Sequence, residues 1–557
     1  MKHKTKNLFL VKAYILLIFL FFNQVHLNAQ DKNDKIHELE TQIQKVYKKV
    51  LASTVTINNN ATGVLVSSDG YILTAAHVVL GVRAEQSSIT MSNGATYKAM
   101  HLGVDEKGDY ALMKIVEKGT WEYLELGSSS DLGQDETCLM FGHSSGYQSD
   151  RPALIRVGFY KGTKALGYLK TSCIMMPGDS GGPLVDLNGK VIGVCSHIDR
   201  PMEDNFYAPI DPVKENWTKL INGERFNKRA PRESQFPKDN KTITPSTIKK
   251  PFSLEGGKTS VIKSIAKSAK NIHKSVVKIT SIIDSAEVKT YGTIIDSQGY
   301  IVAKASELSK ESLSCEQYNG IISPATIIGI DASNDLAVLQ IKSKNLVAIK
   351  VSKNADASVG KLIGSASFKE DIKYSGIISA PVRQILQETP SHGFLGASVT
   401  FSNKIFVLYD NGAAKLAGLK RRDIIIKFDD TKIESSEDRV SFLETTQVNQ
   451  KVKVTVLRDE EEKEFQVTLL KENEKRIRNR HIAYDIDTSE RKGNFSEVFT
   501  HDMPVDASET GTPVVDIDGN VIGINIAKEN RTSSFAIPID VVLVTVKKLD
   551  LLYMNKQ

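Results

Sequence analysis

The sequence predicts a mainly β chain of two tandem β-barrel units, the second interrupted by an inserted module. Three observations carry this. GYILTAAHVV, GDYALMKI and MMPGDSGGPLVDLNGKVIGV in the first half return in order as GYIVAKASEL, NDLAVLQI and ASETGTPVVDIDGNVIGINI in the second, so one plan is written twice. Each copy is a run of short β-rich segments punctuated by Gly, Asn and Asp, the pattern of a sandwich or barrel. Asp109 to Ser180 is 71 residues whereas the matching Asp335 to Thr510 is 175, yet Ser180 to Pro209 and Thr510 to Pro538 are 29 and 28. About a hundred extra residues therefore lie inside the second unit.

At 557 residues the chain is too long for one core and calls for three or four domains. An apolar fraction of 41% and a charged fraction of 25% are those of a soluble globular protein. The net charge of +6 is no nucleic-acid signature, because residues 221–260 carry +5 of it in a stretch that reads as a solvated linker. Four cysteines, Cys138, Cys173, Cys195 and Cys315, are too few for a disulfide framework in so large a chain. Cys173 and Cys195 flank the Ser180 segment, which lets them approach each other, but buried small hydrophobes are the favoured role. Neither HExxH nor paired CxxC occurs, so no metal or other cofactor is expected.

In chain order, residues 1–29 combine a Lys-rich start, the apolar run AYILLIFLFF and Leu27-Asn28-Ala29 before Gln30. This predicts a cleaved secretory leader, an apolar run of ten being short for a membrane span, and an exported protein of a bacterial periplasm or a secreted one. Ile36, Leu39, Ile43, Val46 and Val50 recur at steps of three and four, predicting an amphipathic helix over about 33–51 within a segment 30–53. Its partner is left open between the first barrel and a neighbouring subunit. Residues 54–221 form the first β unit, 222–260 the basic Pro-containing linker, and 261–387 with 473–557 the split second unit. Residues 388–472 are the insertion, in which DEEEKE at 459–464 reads as a solvated hairpin turn.

The chemistry sits in the first copy. Amide hydrolysis by a serine hydroxyl needs a base, an orienter for that base and donors for the oxyanion. Ser180 supplies the nucleophile, His77 the base, and Asp109 the group that fixes the imidazole tautomer. Gly178, Asp179 and Ser180 form the tight turn of the oxyanion hole, with glycine at 178 freeing the backbone to aim the amides of Gly178 and Ser180 at one point. The second copy has Ser306, Asp335 and Thr510 at the triad positions and Ser508 for Gly178. It lacks the histidine, so Thr510 is expected to have no base and Asp335 to be a buried hydrogen-bonding carboxylate.

TAAH, DYAL and GDSGGPLV in this order resemble trypsin-like proteases, and with FYAPID, FAIPID, GFLG and AAKLAGL the chain is similar to the HtrA (Deg) family of envelope proteases. The resemblance implies two chymotrypsin-like double β-barrels and, for the insertion, a PDZ domain. It implies a substrate pocket shaped by Ile174, Met175, Ser196, His197, Ile198 and Asn205. Having no carboxylate at its base, that pocket favours small or medium apolar side chains over basic ones. His197 reads more readily as a packed or surface histidine than as an acceptor of acidic side chains. In the PDZ-like block Gly393, Phe394, Leu395 and Gly396 are expected to present amides to the carboxylate of a C-terminal peptide. Arg422 stands where the family keeps a glycine.

The partners implied are polypeptide substrates, C-terminal peptides and a homo-oligomer, since relatives often form trimers, with no nucleic acid and no stable membrane span after leader cleavage. The expected activity is hydrolysis of unfolded or misfolded proteins by a Ser-His-Asp acyl-enzyme route. The competing reading is a non-catalytic scaffold or chaperone with protease-like folds.

Overall fold

The computed structural model describes residues 36–554 except 81–84, 165–166, 200–201, 229–257, 284–285, 310–311, 352–354, 387–391, 401 and 471–487. The leader predicted over 1–29 and most of the basic linker lie outside the described residues.

Each unit is a pair of barrels. In the first unit, strands Thr54–Ile57, Ala61–Leu65, Tyr71–Thr74, Tyr110–Ile115, Thr96–Asp105 and Gln86–Thr90 pair in a ring, and six strands from Thr137–Gly142 to Asn205–Pro209 close a second barrel. The second unit repeats this with one closed barrel from Val276–Ile283 to Leu336–Ile341 and another from Leu362–Ser365 to Ser534–Pro538. Closure leaves no sheet edge unpaired, so the apolar faces of these short strands turn inward onto separate cores.

A helix precedes each unit, and both occupy the same place in the plan. The first spans 36–53, with Ile43 and Val50 fully buried. It packs within its own chain against both units: Gln42 donates to the Leu187 carbonyl of the first at 2.6 Å, while Glu40 accepts the Leu362 amide of the second at 2.9 Å. Each such Ile or Val withdrawn from water contributes roughly 1.5–3 kcal/mol. The second helix, Lys258–Ser268, begins inside what reads as linker. The glycine of each DxxG turn shows the equivalence. Gly189 faces Val46 and Val50 of one helix, and Gly519 faces Ser268 and Ala269 at the end of the other.

The linker also starts later than its composition implies, because Arg225–Phe226 adds a parallel strand to Thr96–Asp105. The insertion has its own core around Leu395, Phe428, Val454 and Leu469, and is tied to itself by the reciprocal bonds of Phe394 and Leu470. In its hairpin the turn is Asp459–Glu460 alone, both left-handed at φ 52° and 66°. Residues 461–464 of DEEEKE continue the strand rather than the turn.

One hydrophobic core runs through the helix at 36–53 and both units. Where the units meet, buried Asp502 of the second accepts the Val157 amide of the first at 3.0 Å and the Ile377 amide of its own unit at 2.6 Å.

Candidate active site

The helical turn Ala76–Leu80 follows strand Tyr71–Thr74 and carries His77 at the barrel rim, its side chain 38% exposed. Asp109 precedes strand Tyr110–Ile115 in a left-handed conformation, φ 55°. Both its oxygens lie 3.1 Å from His77 Nδ1, and Oδ1 also accepts the His77 amide. The Ser196 hydroxyl donates to its Oδ2. Burial raises the Asp109 pKa, but the hydrogen bonds and charge of His77 and the Ser196 hydroxyl outweigh it, holding the carboxylate below its usual range. Thus Ser196, assigned by resemblance to the pocket, turns its side chain to Asp109 instead.

Ser180 reaches this rim through the first barrel. The Thr62 amide donates to the Ser180 carbonyl at 2.9 Å and its hydroxyl to the Gly178 carbonyl at 2.8 Å, while Thr74, three residues before His77, donates to the Thr62 carbonyl at 2.9 Å. A Cβ on Gly181 would stand 2.0 Å from Thr74 Oγ1, so the chain after the nucleophile lies directly on the strand end that leads to His77.

Gly178 is left-handed, φ 103°, and a Cβ there would fall 2.2 Å from the His143 carbonyl oxygen. Only glycine fits. Among the described residues the Gly178 and Ser180 amides have no backbone acceptor. Asp179 behaves differently from the expectation that it belongs to the oxyanion hole. Its amide closes the turn onto the Met176 carbonyl at 3.1 Å. Its carboxylate accepts Arg156, Ser144 and the Met176 amide, so it fixes the turn from behind. Arg156, Thr62 and Ser144 escaped the sequence reading. The only signal was a lone arginine in the apolar strand LIRVGFY.

Of the other pocket residues, Ile174 and Met175 are buried beside the turn. Asn205 is not free to meet substrate: its Oδ1 takes the Met175 amide at 2.9 Å and its Nδ2 the Met202 carbonyl at 2.7 Å, so both ends are spent as a brace. Ile198 pairs with it across the strands. The His197 ring lies edge-on to Tyr168 at 4.9 Å and beside Phe206 at 5.0 Å, with Nδ1 2.9 Å from the Ser196 hydroxyl. All four cysteines are free and buried, with burial raising Cys173 to about 12.

The same place in the second unit is filled by an ionic network. Ser306 donates its amide and its hydroxyl to Asp335, each at 2.7 Å. Asp335 keeps the left-handed kink, φ 54°, though no imidazole remains for it to orient. Buried Lys304 lies 3.8 Å from Asp335 and 3.7 Å from Glu307. The expectation that Thr510 has no basic partner needs correcting, since its hydroxyl donates to Glu307 at 2.9 Å. Thr290 donates to the same oxygen, and the Thr510 end of the pair is buried at 1% exposure. Ser508 lies in the single 3₁₀ turn Ala507–Glu509 and lacks the left-handed geometry of Gly178.

In the insertion, two of the four GFLG residues have amides already engaged. Gly393 donates to the Thr446 hydroxyl at 3.2 Å and Phe394 to the Leu470 carbonyl at 2.7 Å. Among the described residues the Leu395 and Gly396 amides have no backbone acceptor. Gly396 has φ 73°, and a Cβ there would lie 2.5 Å from the Ala413 amide.

Residues 61–194 match the trypsin-like peptidase domain and residues 393–469 the PDZ domain. Serine protease HTRA1 of Xenopus tropicalis is 40% identical over 142 residues, covering 24% of this chain and 30% of the relative. Serine proteases HTRA1A and HTRA1B of Danio rerio are 32% and 30% identical over 210 and 226 residues, covering 36% and 39% of this chain and 43% and 47% of the relatives. The chain spans less than half the length of these curated relatives. The first unit thus carries a trypsin-like peptidase domain and the insertion in the second a PDZ domain, and over the matched residues the chain is similar to the HTRA serine proteases.

Proposed function

We propose that the chain is an exported endopeptidase of unfolded or misfolded proteins in which only the first unit cleaves. The observation that carries this is the contrast between two copies of one plan. His77, Asp109 and Ser196 are linked beside a left-handed Gly178 turn in the first, whereas the second fills that place with Ser306, Glu307 and Lys304.

In the first unit His77 Nε2 takes the Ser180 proton as Oγ attacks the scissile carbonyl, and Asp109 stabilises the imidazolium. The amides of Gly178 and Ser180 receive the oxyanion, and the proton passes to the leaving amine. Water then attacks the acyl-enzyme by the same route reversed. Ile174 and Met175, both buried and apolar, support small or medium apolar side chains before the scissile bond. The loop from Leu395 would hold a substrate C-terminus by its carboxylate while the chain adds to a sheet edge. The leader-like start supports export to a bacterial periplasm or beyond the cell.

The test is cleavage of a reduced, unfolded client by the purified chain. Cleavage should vanish in Ser180→Ala and persist in Thr510→Ala. A chain that suppresses client aggregation but never cuts it would establish the scaffold reading instead. For the insertion, peptides with free C-termini should bind and their amidated forms should not.

A further inference from the structure

The nucleophile turn of the first unit and the Asn205 brace on Met175 are held by residues that unit does not own. Residues 529–533, between strands Val521–Lys528 and Ser534–Pro538 of the second unit, enter the first. Buried Thr532 shares its hydroxyl between Asn530 Oδ1 at 2.9 Å and Ser144 Oγ at 3.2 Å. Ser144 donates to the two Asp179 oxygens at 2.9 and 3.2 Å, one residue before Ser180.

The segment carrying Ser144 also cradles the turn through its backbone. The Ser145 amide donates to the Pro177 carbonyl at 2.8 Å, and the His143 carbonyl is the atom that a Cβ on Gly178 would strike. Arg383 of the second unit meets Asp150 at the far end of this segment at 3.7 Å.

A second path reaches the pocket. Arg531, 1% exposed, donates to the Met202 carbonyl at 3.1 Å and the Asp199 carbonyl at 3.4 Å. The same Met202 carbonyl accepts Asn205, whose other end holds the Met175 amide.

We infer that Arg531 and Thr532 of the catalytically silent unit are positioning residues for the first unit's peptidase site. Thr532 sets the nucleophile turn through Ser144 and Asp179, and Arg531 sets the brace on Met175 through Met202 and Asn205. The Thr532–Ser144 bond is buried, so losing it leaves its partner unsatisfied rather than hydrated, and small displacements of a reacting turn are costly to rate. Docking of the second unit is thus a condition for cleavage by the first. The inference rests on the peptidase reading given under Proposed function.

The test uses the full chain, following the rate of fluorophosphonate labelling at Ser180, kcat and KM on a peptide, and the unfolding midpoint. Thr532→Val should slow labelling and lower kcat about tenfold with KM little changed, and Thr532→Ser should restore both. Arg531→Lys, which loses the planar fork, should raise KM about fivefold. Variants that unfold earlier yet label and bind as wild type would reduce both residues to structural support and overturn the inference. If Thr532→Val does not fold, Arg531→Lys decides alone, an unchanged KM overturning it. Wild-type protein that is never labelled would overturn the peptidase reading itself, a result distinct from equal labelling of wild type and variants.

Discussion

Arg156 closes a two-point ion pair on Asp179, Nη1 to Oδ2 at 2.7 Å and Nη2 to Oδ1 at 3.1 Å, with both side chains 1% exposed. The pair stands behind the nucleophile turn, where Ser144 and the Met176 amide complete the coordination of Asp179. A buried charge beside the reacting serine is tolerable only because it is paired and saturated with donors.

Removing Arg156 alone should therefore cost more than removing a surface charge. Arg156→Met is expected to destabilise the chain by about 3–5 kcal/mol, because it strands the Asp179 carboxylate in a dry site. Urea unfolding of wild type and variant measures it. A loss under about 1 kcal/mol would contradict the account of the turn.

Gly178→Ser installs the residue of the second copy into the first. The side chain would require φ 103° from an L-residue and would collide with the His143 carbonyl, so the turn must move. A lost oxyanion donor should lower kcat by roughly a hundredfold or more, with KM less affected. Retention of wild-type kcat would show that the amide of residue 178 takes no part.

Asp502 gives the contact between units a pH dependence. Burial raises its carboxyl to about 7, against the opposing pull of the Ile377 and Val157 amides and of Arg156. The folded chain then holds a proton that the unfolded chain releases above about pH 4, so the contribution of this carboxyl to stability is most favourable below pH 4 and falls as pH rises toward 7. The fall amounts to at most about 4 kcal/mol. Urea unfolding of wild type and Asp502→Asn between pH 4 and 7 tests this. The stability difference should move against wild type as pH rises, and a constant difference would contradict the assignment.

Arg422 sits at φ 77° with its amide on the Ile405 carbonyl, a left-handed position of the inserted domain suited to glycine. Arg422→Gly should raise the stability of the PDZ unfolding transition by about 1 kcal/mol, because an L-residue bears a steric cost there that glycine does not. Calorimetry of the full chain reads it, and an unchanged or lower midpoint would show that the arginine side chain repays its backbone strain.

The duplicated plan, the insertion and the His77, Asp109 and Ser180 phrases were legible because each is a local run of residues with fixed order and spacing. Arg156 was not, since a strand residue two dozen positions before Asp179 gives no local sign of which carboxylate it will meet. The helix Lys258–Ser268 was hidden because its apolar positions Val261 and Ile265 stand among lysines and serines that continue the composition of the linker. Arg225 and Phe226 read as linker for the same reason, their strand being only two residues long. The docking of the two units was the least legible feature. Asp502, Arg531 and Thr532 look like ordinary turn and strand-end residues until the fold brings Val157, Met202 and Ser144 against them. Asn205 and Ser196 were placed by resemblance at the pocket, but their side chains are consumed by Met175 and Asp109.

The central claim is that two copies of one plan divide the work, with cleavage confined to the first. Its most direct measurement is a fluorophosphonate reaction on the full chain followed by mapping of the adduct. The account predicts one adduct, on Ser180, absent from Ser180→Ala and from His77→Ala, and no modification of Thr510. An adduct on Thr510, or a folded chain with no adduct on Ser180, would contradict it.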